Sequence, residues 1–342
     1  MSLSEMNEIE LVELPAHRIF EELGYQTLEG TDVTSERQSY SDVILTTRLE
    51  RKIRELNPDL PEIVYETTIN QVKSLSNPST IQNNQEFHQM LLAGVKVPYQ
   101  SEGQTKYYAV RLVDFENPQN NDFAAVRQLI VLQHKQKRLD HVLFVNGLPL
   151  VILEYKDPMN PSADIVAAHK QLGIGNYQKH IPKIFNYNAF LVISDKTYAR
   201  YGTMTAPFER FSDWNDPEDP DRTVANRLEM MQRLMLNKES LLELIQNYLE
   251  YESGGKMTVK KIAQQHQYLG AKKAVEKTLE VFSQKDENRI GIIWHTTGSG
   301  KSLTMILYTN MISQIKHLEN PTFVILTDRK DLDEQLNGFF EV

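Results

Sequence analysis

The chain has 342 residues, a net charge of −9 and no cysteine. That length suits more than one domain and fewer than three. The missing cysteines exclude a disulfide framework and thiolate metal sites, and fit a reducing, cytoplasmic setting. The negative charge excludes a uniformly basic surface, so any nucleic-acid contact must run through local basic patches or through partner subunits. The apolar share of 40% indicates packed cores. The opening MSLSEMNEIE has no secretory pattern, and apolar runs such as VLFV and LPLVIL are too short to cross a bilayer.

Residues 5–24 carry apolar positions at helical spacing, which predicts a helix interrupted near Pro15 and closing at Gly24. A second helix is expected over 41–56, ahead of an Asn57-Pro58 turn. Strands are expected over 107–113, 129–132, 141–145 and 150–154. The last two flank Asn146-Gly147, a dipeptide that signals a hairpin between β-forming residues. A helix over 162–178 and a buried strand over 189–194 complete a unit of mixed α/β character.

Residues 212–223 begin with an acidic, proline-containing stretch without periodicity and read as a linker between a domain over 1–211 and another over 224–342. Helices are expected over 224–236 and 238–251, followed by Gly254-Gly255. Two apolar strands, 290–294 and 323–326, separated by a helical stretch, make a βαβ pattern suited to a parallel sheet.

The strongest short motif is His295-Thr296-Thr297-Gly298-Ser299-Gly300-Lys301-Ser302, placed between an expected strand and helix. Gly298 and Gly300 let backbone amides of Thr297 to Ser302 turn toward phosphate oxygens, and the helix N-terminus adds its positive end. Lys301 suits the β- and γ-phosphates of ATP, and Ser302 suits Mg²⁺. His295 stands where the usual pattern has its first glycine. Thr327, after the next strand, resembles a DNA-backbone contact of superfamily 2 helicases, and Gln267 resembles their adenine-reading glutamine. No Asp-Glu-x-His/Asp follows a third strand within these residues, so ATP binding without turnover is expected of them.

The second constellation is Asp140 with Glu154-Tyr155-Lys156 at the open end of the hairpin. Acid, spacer and Glu-x-Lys match the PD-(D/E)xK nucleases. Asp140 and Glu154 would supply hard oxygen ligands to Mg²⁺, and Lys156 would orient water or neutralise the phosphate. The hairpin register decides whether this works. A two-residue loop pairs Val145 with Leu148 and sets Asp140 opposite Leu153, so Glu154 points to the other face. A three-residue loop, or a bulge, sets Asp140 opposite Glu154, with Lys156 on the same face. The chemistry therefore predicts one of these two departures from a simple hairpin.

Residues 145–156 resemble the nuclease segment of type I restriction enzyme R subunits, often called HsdR. So do 113–118 with 120–123, 181–188, and the phosphate loop with its Trp294-His295 lead-in. The resemblance runs from about residue 8 onward, with the motifs in the same order. It implies a PD-(D/E)xK endonuclease domain, a mixed sheet flanked by helices, followed by the start of a RecA-like parallel-sheet motor domain. It also implies DNA cleavage coupled to ATP-driven translocation, in complex with methyltransferase (M) and specificity (S) subunits. The family's catalytic residues fall on Asp140, Glu154 and Lys156. Its Gln-x-x-x-Tyr motif falls on Gln171, with Tyr177 six residues on rather than four. The alternatives are a nuclease–helicase of type III restriction or DNA repair, and an assembly module without catalysis.

Overall fold

The computed structural model describes residues 2–101, 103–160, 164–218, 226–253, 257–283, 289–296, 298–318 and 321–326. It divides into two compact units, Met1–Gln246 and Asn247–Val342. The first unit is built on a seven-stranded mixed sheet in the order β1-β4-β5-β6-β7-β8-β9. Its strands are β1 (Gln26–Glu29), β4 (Phe123–Leu132), β5 (Gln136–Val145), β6 (Leu148–Tyr155), β7 (Phe190–Ser194), β8 (Ala199–Gly202) and β9 (Ser212–Asp213). β1 runs parallel to β4 and β6 parallel to β7, and the other neighbours are antiparallel. Every residue of β6 and β7 is buried, the pattern of strands covered on both faces. A separate hairpin, β2 (Val95–Ser101) with β3 (Gln104–Val110), stands outside this sheet.

The N-terminal helix is continuous where the sequence suggested an interruption. α1 (Leu3–Glu8) passes through a π-helical turn, Ile9–Glu13, into α2 (Leu14–Glu22). Pro15 lies in the first turn of α2. A proline there removes an i→i−4 bond and crowds the preceding turn, and the wider π-turn accommodates both effects without a break.

Two other helices depart from the sequence reading. α3 starts at Thr46 (Thr46–Leu56) rather than at residue 41, because the Leu45 N–H donates to the Gly147 carbonyl (2.9 Å) and holds the chain extended. The 162–178 helix is two pieces, α6 (Ile165–Leu172) and α7 (Tyr177–His180), divided at the Gly173–Asn176 turn. Between α3 and the β2–β3 hairpin lie α4 (Glu62–Lys73) and α5 (Thr80–Ala93). α8 (Arg227–Leu234) and α9 (Lys238–Asn247) follow the acidic stretch but pack on the first unit. Gln232 donates to the Ala16 carbonyl (2.9 Å), Arg233 pairs with Glu22, and the Tyr25 hydroxyl donates to the Leu236 carbonyl (2.7 Å). These contacts move the compact boundary to Gln246/Asn247, later than the 212–223 linker expected from composition.

In the second unit, 249–251 ends in a strand rather than a helix. β10 (Leu249–Ser253) pairs antiparallel with β11 (Thr258–Ile262). α10 (Gln265–Ser283) and α11 (Lys301–Ser313) follow. The two apolar segments expected as parallel strands, 290–294 and 323–326, have no ladder partner among the described residues. Ile292, Trp294, Val324 and Leu326 are largely exposed. A parallel strand depends on neighbours for its backbone bonds and for both of its apolar faces, and local sequence cannot supply them. Among the described residues no helix is long and apolar enough to cross a membrane.

Candidate active site

The β5–β6 hairpin resolves the register question by a bulge. Asn146 and Gly147 close a two-residue turn with φ of 53° and 82°, so Val145 pairs with Leu148 and Phe144 with Pro149. The register then shifts, and Leu143 pairs with Val151, Val142 with Ile152 and His141 with Leu153. Leu150 is the extra residue. Its carbonyl is taken by the Ala189 N–H (2.7 Å) and the Asn188 side chain (3.3 Å), which tie the bulge to the start of β7. Continuing the shifted register one step sets Asp140 opposite Glu154.

The turn itself is held from several sides. Asn146 accepts from the Asp122 N–H (2.7 Å) and donates to the Leu112 carbonyl (2.9 Å) and to Asn121 (2.8 Å). A Cβ at Gly147 would lie 2.5 Å from the Leu45 carbonyl oxygen, so only glycine fits beneath the entry to α3.

At the open end of the hairpin, Asp140, Glu154 and Lys156 are all buried. Asp140 Oδ2 accepts the Tyr155 N–H (2.7 Å). Lys156 Nζ donates to Glu154 Oε1 (2.9 Å) and lies 4.0 Å from Glu8. Glu154 Oε2 has no hydrogen-bond partner among the described residues, although it is shielded from water. Burial, and then the Asp140 charge, push the Glu154 carboxyl well above the usual range. Burial also raises Asp140, against the pull of Lys156 and the Tyr155 amide. Burial opposes the Lys156 ammonium, but Glu154, Asp140 and Glu8 outweigh it and hold the group protonated.

Two carboxylates that sequence reasoning missed complete this cluster. Glu8 and Glu13, from either end of the π-turn, each bring an oxygen within 4.8 Å of the others and of Asp140. In an α-helix, residues five apart point roughly 140° away from each other, whereas the wider π-turn turns them toward one face. Glu13 is fully buried and accepts from Gln128 (2.7 Å) and from Arg127 (3.4 Å). Burial, followed by the Asp140 charge, pushes Glu8 and Glu13 each up to about 7. The available signal was Glu8 and Glu13 just ahead of Pro15, among the apolar residues Ile9, Leu11, Val12 and Leu14.

This donor set fits a divalent cation. Carboxylates packed together out of water must be neutralised by protons or by a cation, and hard oxygen donors suit Mg²⁺ or Mn²⁺.

Gln171 and Tyr177 meet in the structure despite their long spacing. Gln171 Nε2 donates to the Tyr177 hydroxyl (2.7 Å), which donates to the Arg138 carbonyl (2.9 Å). The Gly173–Asn176 turn absorbs the extra residues and aims α7 back at β5. Burial, with the Glu154 and Asp140 charges behind it, pushes the Tyr177 hydroxyl up and keeps it neutral.

In the second unit, Gly298 and Gly300 both have φ of 80°, and Gly300 precedes the first residue of α11, Lys301. Lys301 Nζ donates to the Thr296 carbonyl (3.3 Å), and Ser302 lies in the first turn of α11. Gln267 is buried, and its Nε2 donates to the Ser299 (3.0 Å) and Gly300 (3.2 Å) carbonyls. Its Oε1 accepts the Gln264 N–H (2.8 Å), so here the side chain braces the loop. Thr297 and Thr327 lie outside the described residues.

Residues 5–210 match the family model for the type I restriction enzyme R protein N terminus, and residues 266–342 match that for SWI2/SNF2 ATPase. The chain is 37% identical, over 97% of its length, to the type I restriction enzyme HindI endonuclease subunit of Haemophilus influenzae, covering 32% of that protein. It is 32% identical, over 98% of its length, to the putative MjaIXP endonuclease subunit of Methanocaldococcus jannaschii, covering 34% of it. A Staphylococcus aureus type I endonuclease subunit, SauCOLORF180P, is 27% identical over 72% of the chain. The chain thus spans about a third of the length of the first two relatives. With most of its first unit matched by the family model, the chain belongs to the type I restriction enzyme R protein family.

Proposed function

We propose that the first unit is a PD-(D/E)xK-type endonuclease domain that hydrolyses DNA phosphodiesters with Mg²⁺ or Mn²⁺. The observation that carries this reading is the convergence of Glu8, Glu13 and Asp140, with Glu154 opposite Asp140 in the continued hairpin register and bonded to the Lys156 ammonium. Asp140, with Glu8, Glu13 and Glu154 Oε2, would hold the ion. A divalent ion there would activate water and neutralise charge on the scissile phosphate. Lys156, kept protonated, orients the attacking water or meets the phosphate oxygen, while Gln171 and Tyr177 hold β5 in position through the Arg138 carbonyl. The second unit, on this reading, opens a RecA-like motor domain. Its loop from Thr297 to Ser302 takes the phosphates of ATP, with Lys301 as cation, Ser302 toward Mg²⁺ and Thr327 toward DNA. In the whole protein this would couple translocation to cleavage in a cytoplasmic complex with M and S subunits.

The test is calorimetry of Mn²⁺ binding together with a plasmid-cleavage assay. Binding should vanish in the Asp140→Ala, Glu154→Ala double variant. Unchanged Mn²⁺ affinity in a folded double variant would place the ion elsewhere and defeat the assignment.

A further inference from the structure

The chain is acidic overall, yet one rim of the first unit carries the opposite charge. The β4–β5 turn supplies His134 and Lys135, the start of β5 supplies Lys137 and Arg138, and α7 supplies Lys179 and His180. These segments are some forty residues apart in sequence, and backbone bonds join them. The His134 N–H donates to the His180 carbonyl (3.0 Å), and the Lys183 N–H donates to Gln133 Oε1 (3.2 Å). Lys137 Nζ sits 5.6 Å from the centre of the Tyr177 ring. Lys135, Arg138 and Lys179 are exposed. Among the described residues, none of Lys135, Lys137, Arg138 and Lys179 forms an ion pair, whereas neighbouring Lys183 pairs with Asp42 (3.6 Å).

Crowding like charges on one rim is unfavourable unless a polyanion meets them, since solvent and salt screen but do not remove the repulsion. Burial, and then the charges of Lys135, Lys137 and Lys179, hold the half-buried His180 imidazole below its usual range. The rim also leads somewhere. Arg138 and Asp140 lie on one face of β5, one side-chain repeat apart, or about 7 Å. The Arg138 charge is felt at Asp140. The Tyr177 hydroxyl, itself in the field of Glu154 and Asp140, is bonded to the Arg138 carbonyl.

We propose that Lys135, Lys137, Arg138 and Lys179 form a phosphate-binding track that seats the backbone of duplex DNA and leads one strand to the Asp140–Glu154 cluster. The contacts are to phosphates, so the track carries no sequence preference. The proposal rests on the nuclease reading only for what the strand is led to.

The experiment measures binding of a short duplex to the whole chain in EDTA, across a salt series, by fluorescence anisotropy. Lys135→Glu with Lys179→Glu changes two exposed side chains and should leave the circular dichroism spectrum unchanged. Affinity at low salt should fall at least tenfold, and the slope of log affinity against log salt should shrink by about 2, near 0.9 for each lost phosphate contact. Lys96→Glu with Lys106→Glu, the same charge change on the exposed β2–β3 hairpin, should leave affinity and slope near the wild-type values. Equal losses in both double variants, no change in the first, or wild-type binding indifferent to salt would each overturn the track. A chain that binds through this rim and never cleaves with Mn²⁺ would instead remove the nuclease reading and leave the track standing.

Discussion

Around Asp140 the charged groups are buried, or half-buried in the case of Glu8; they come from α1, the π-turn, β5 and the end of β6, and are held by bonds between residues far apart in sequence. Around Lys301 the reverse holds: the loop is largely exposed, and its ligands would come from one contiguous segment. The difference follows from the chemistry each place is suited to. A phosphate loop works through backbone amides and a helix end, which a short segment builds on its own. A carboxylate metal centre needs like charges held together, and only a rigid surrounding core keeps them there.

The largest expected effect separates the two sites. Asp140→Ala or Lys156→Ala should lower Mn²⁺-dependent DNA cleavage about a hundredfold or more, as loss of a directly acting charged group does, and should leave ATP-analogue binding intact. Lys301→Ala should do the converse, abolishing nucleotide binding while leaving the Mn²⁺ isotherm unchanged. Calorimetry with both ligands reads the two effects, and any cross-effect would mean that the sites are not independent.

Next in size is the metal and pH dependence of the first unit. Glu8 and Glu13 are raised to about 7 in the fold, above an ordinary carboxyl near 4.5. A folded state that holds extra protons is most stable below the unfolded value and loses that stability as pH rises through 7. The metal-free thermal midpoint should therefore fall between pH 5 and 8, and Mn²⁺ should restore it with proton release. Glu13→Gln sharpens the point. It should flatten this pH dependence and raise the metal-free midpoint at pH 8, while weakening Mn²⁺ binding by about 10- to 100-fold. A midpoint that rises with pH without metal would refute the account. The second unit has no such cluster among its described residues and should not respond in this way.

Gly147→Ala should destabilise the first unit by roughly 1–3 kcal/mol, because its φ is positive and the new methyl would meet the Leu45 carbonyl. Urea unfolding measures this, and a neutral result would mean that the turn can open without consequence. The smallest effect is expected of Tyr177→Phe, which removes the hydroxyl that accepts from Gln171 and donates to Arg138. It should cost about 0.5–1.5 kcal/mol in the same unfolding experiment, with a modest loss of cleavage.

Much of the first unit was legible because its signals are local. The apolar β-forming runs at 129–132, 141–145 and 150–154, the Asn146-Gly147 turn and the buried 189–194 strand all appear in the fold. The bulge was foreseen only as one of two ways to bring Asp140 opposite Glu154, and Leu150 as its site was not, because the carbonyl that fixes it is bonded from Ala189 and Asn188. Glu8 and Glu13 went unread because an ordinary helix would send them to different faces. Gln171 and Tyr177 met through a glycine-containing turn that a fixed spacing rule does not anticipate. In the second unit the apolar runs 290–294 and 323–326, expected as strands, form none among the described residues, because a ladder needs a neighbour that local composition does not supply.

Residue types and spacing by themselves determined the mixed α/β character, the hairpin, the acid and Glu-x-Lys set and the glycine turn that opens α11, since each depends on backbone preference or on side chains within one or two elements. Tertiary structure alone decided which carboxylates share a centre, where the first unit ends and which cations line its rim. Those outcomes depend on groups from distant segments that interact only once a common core has removed water from between them.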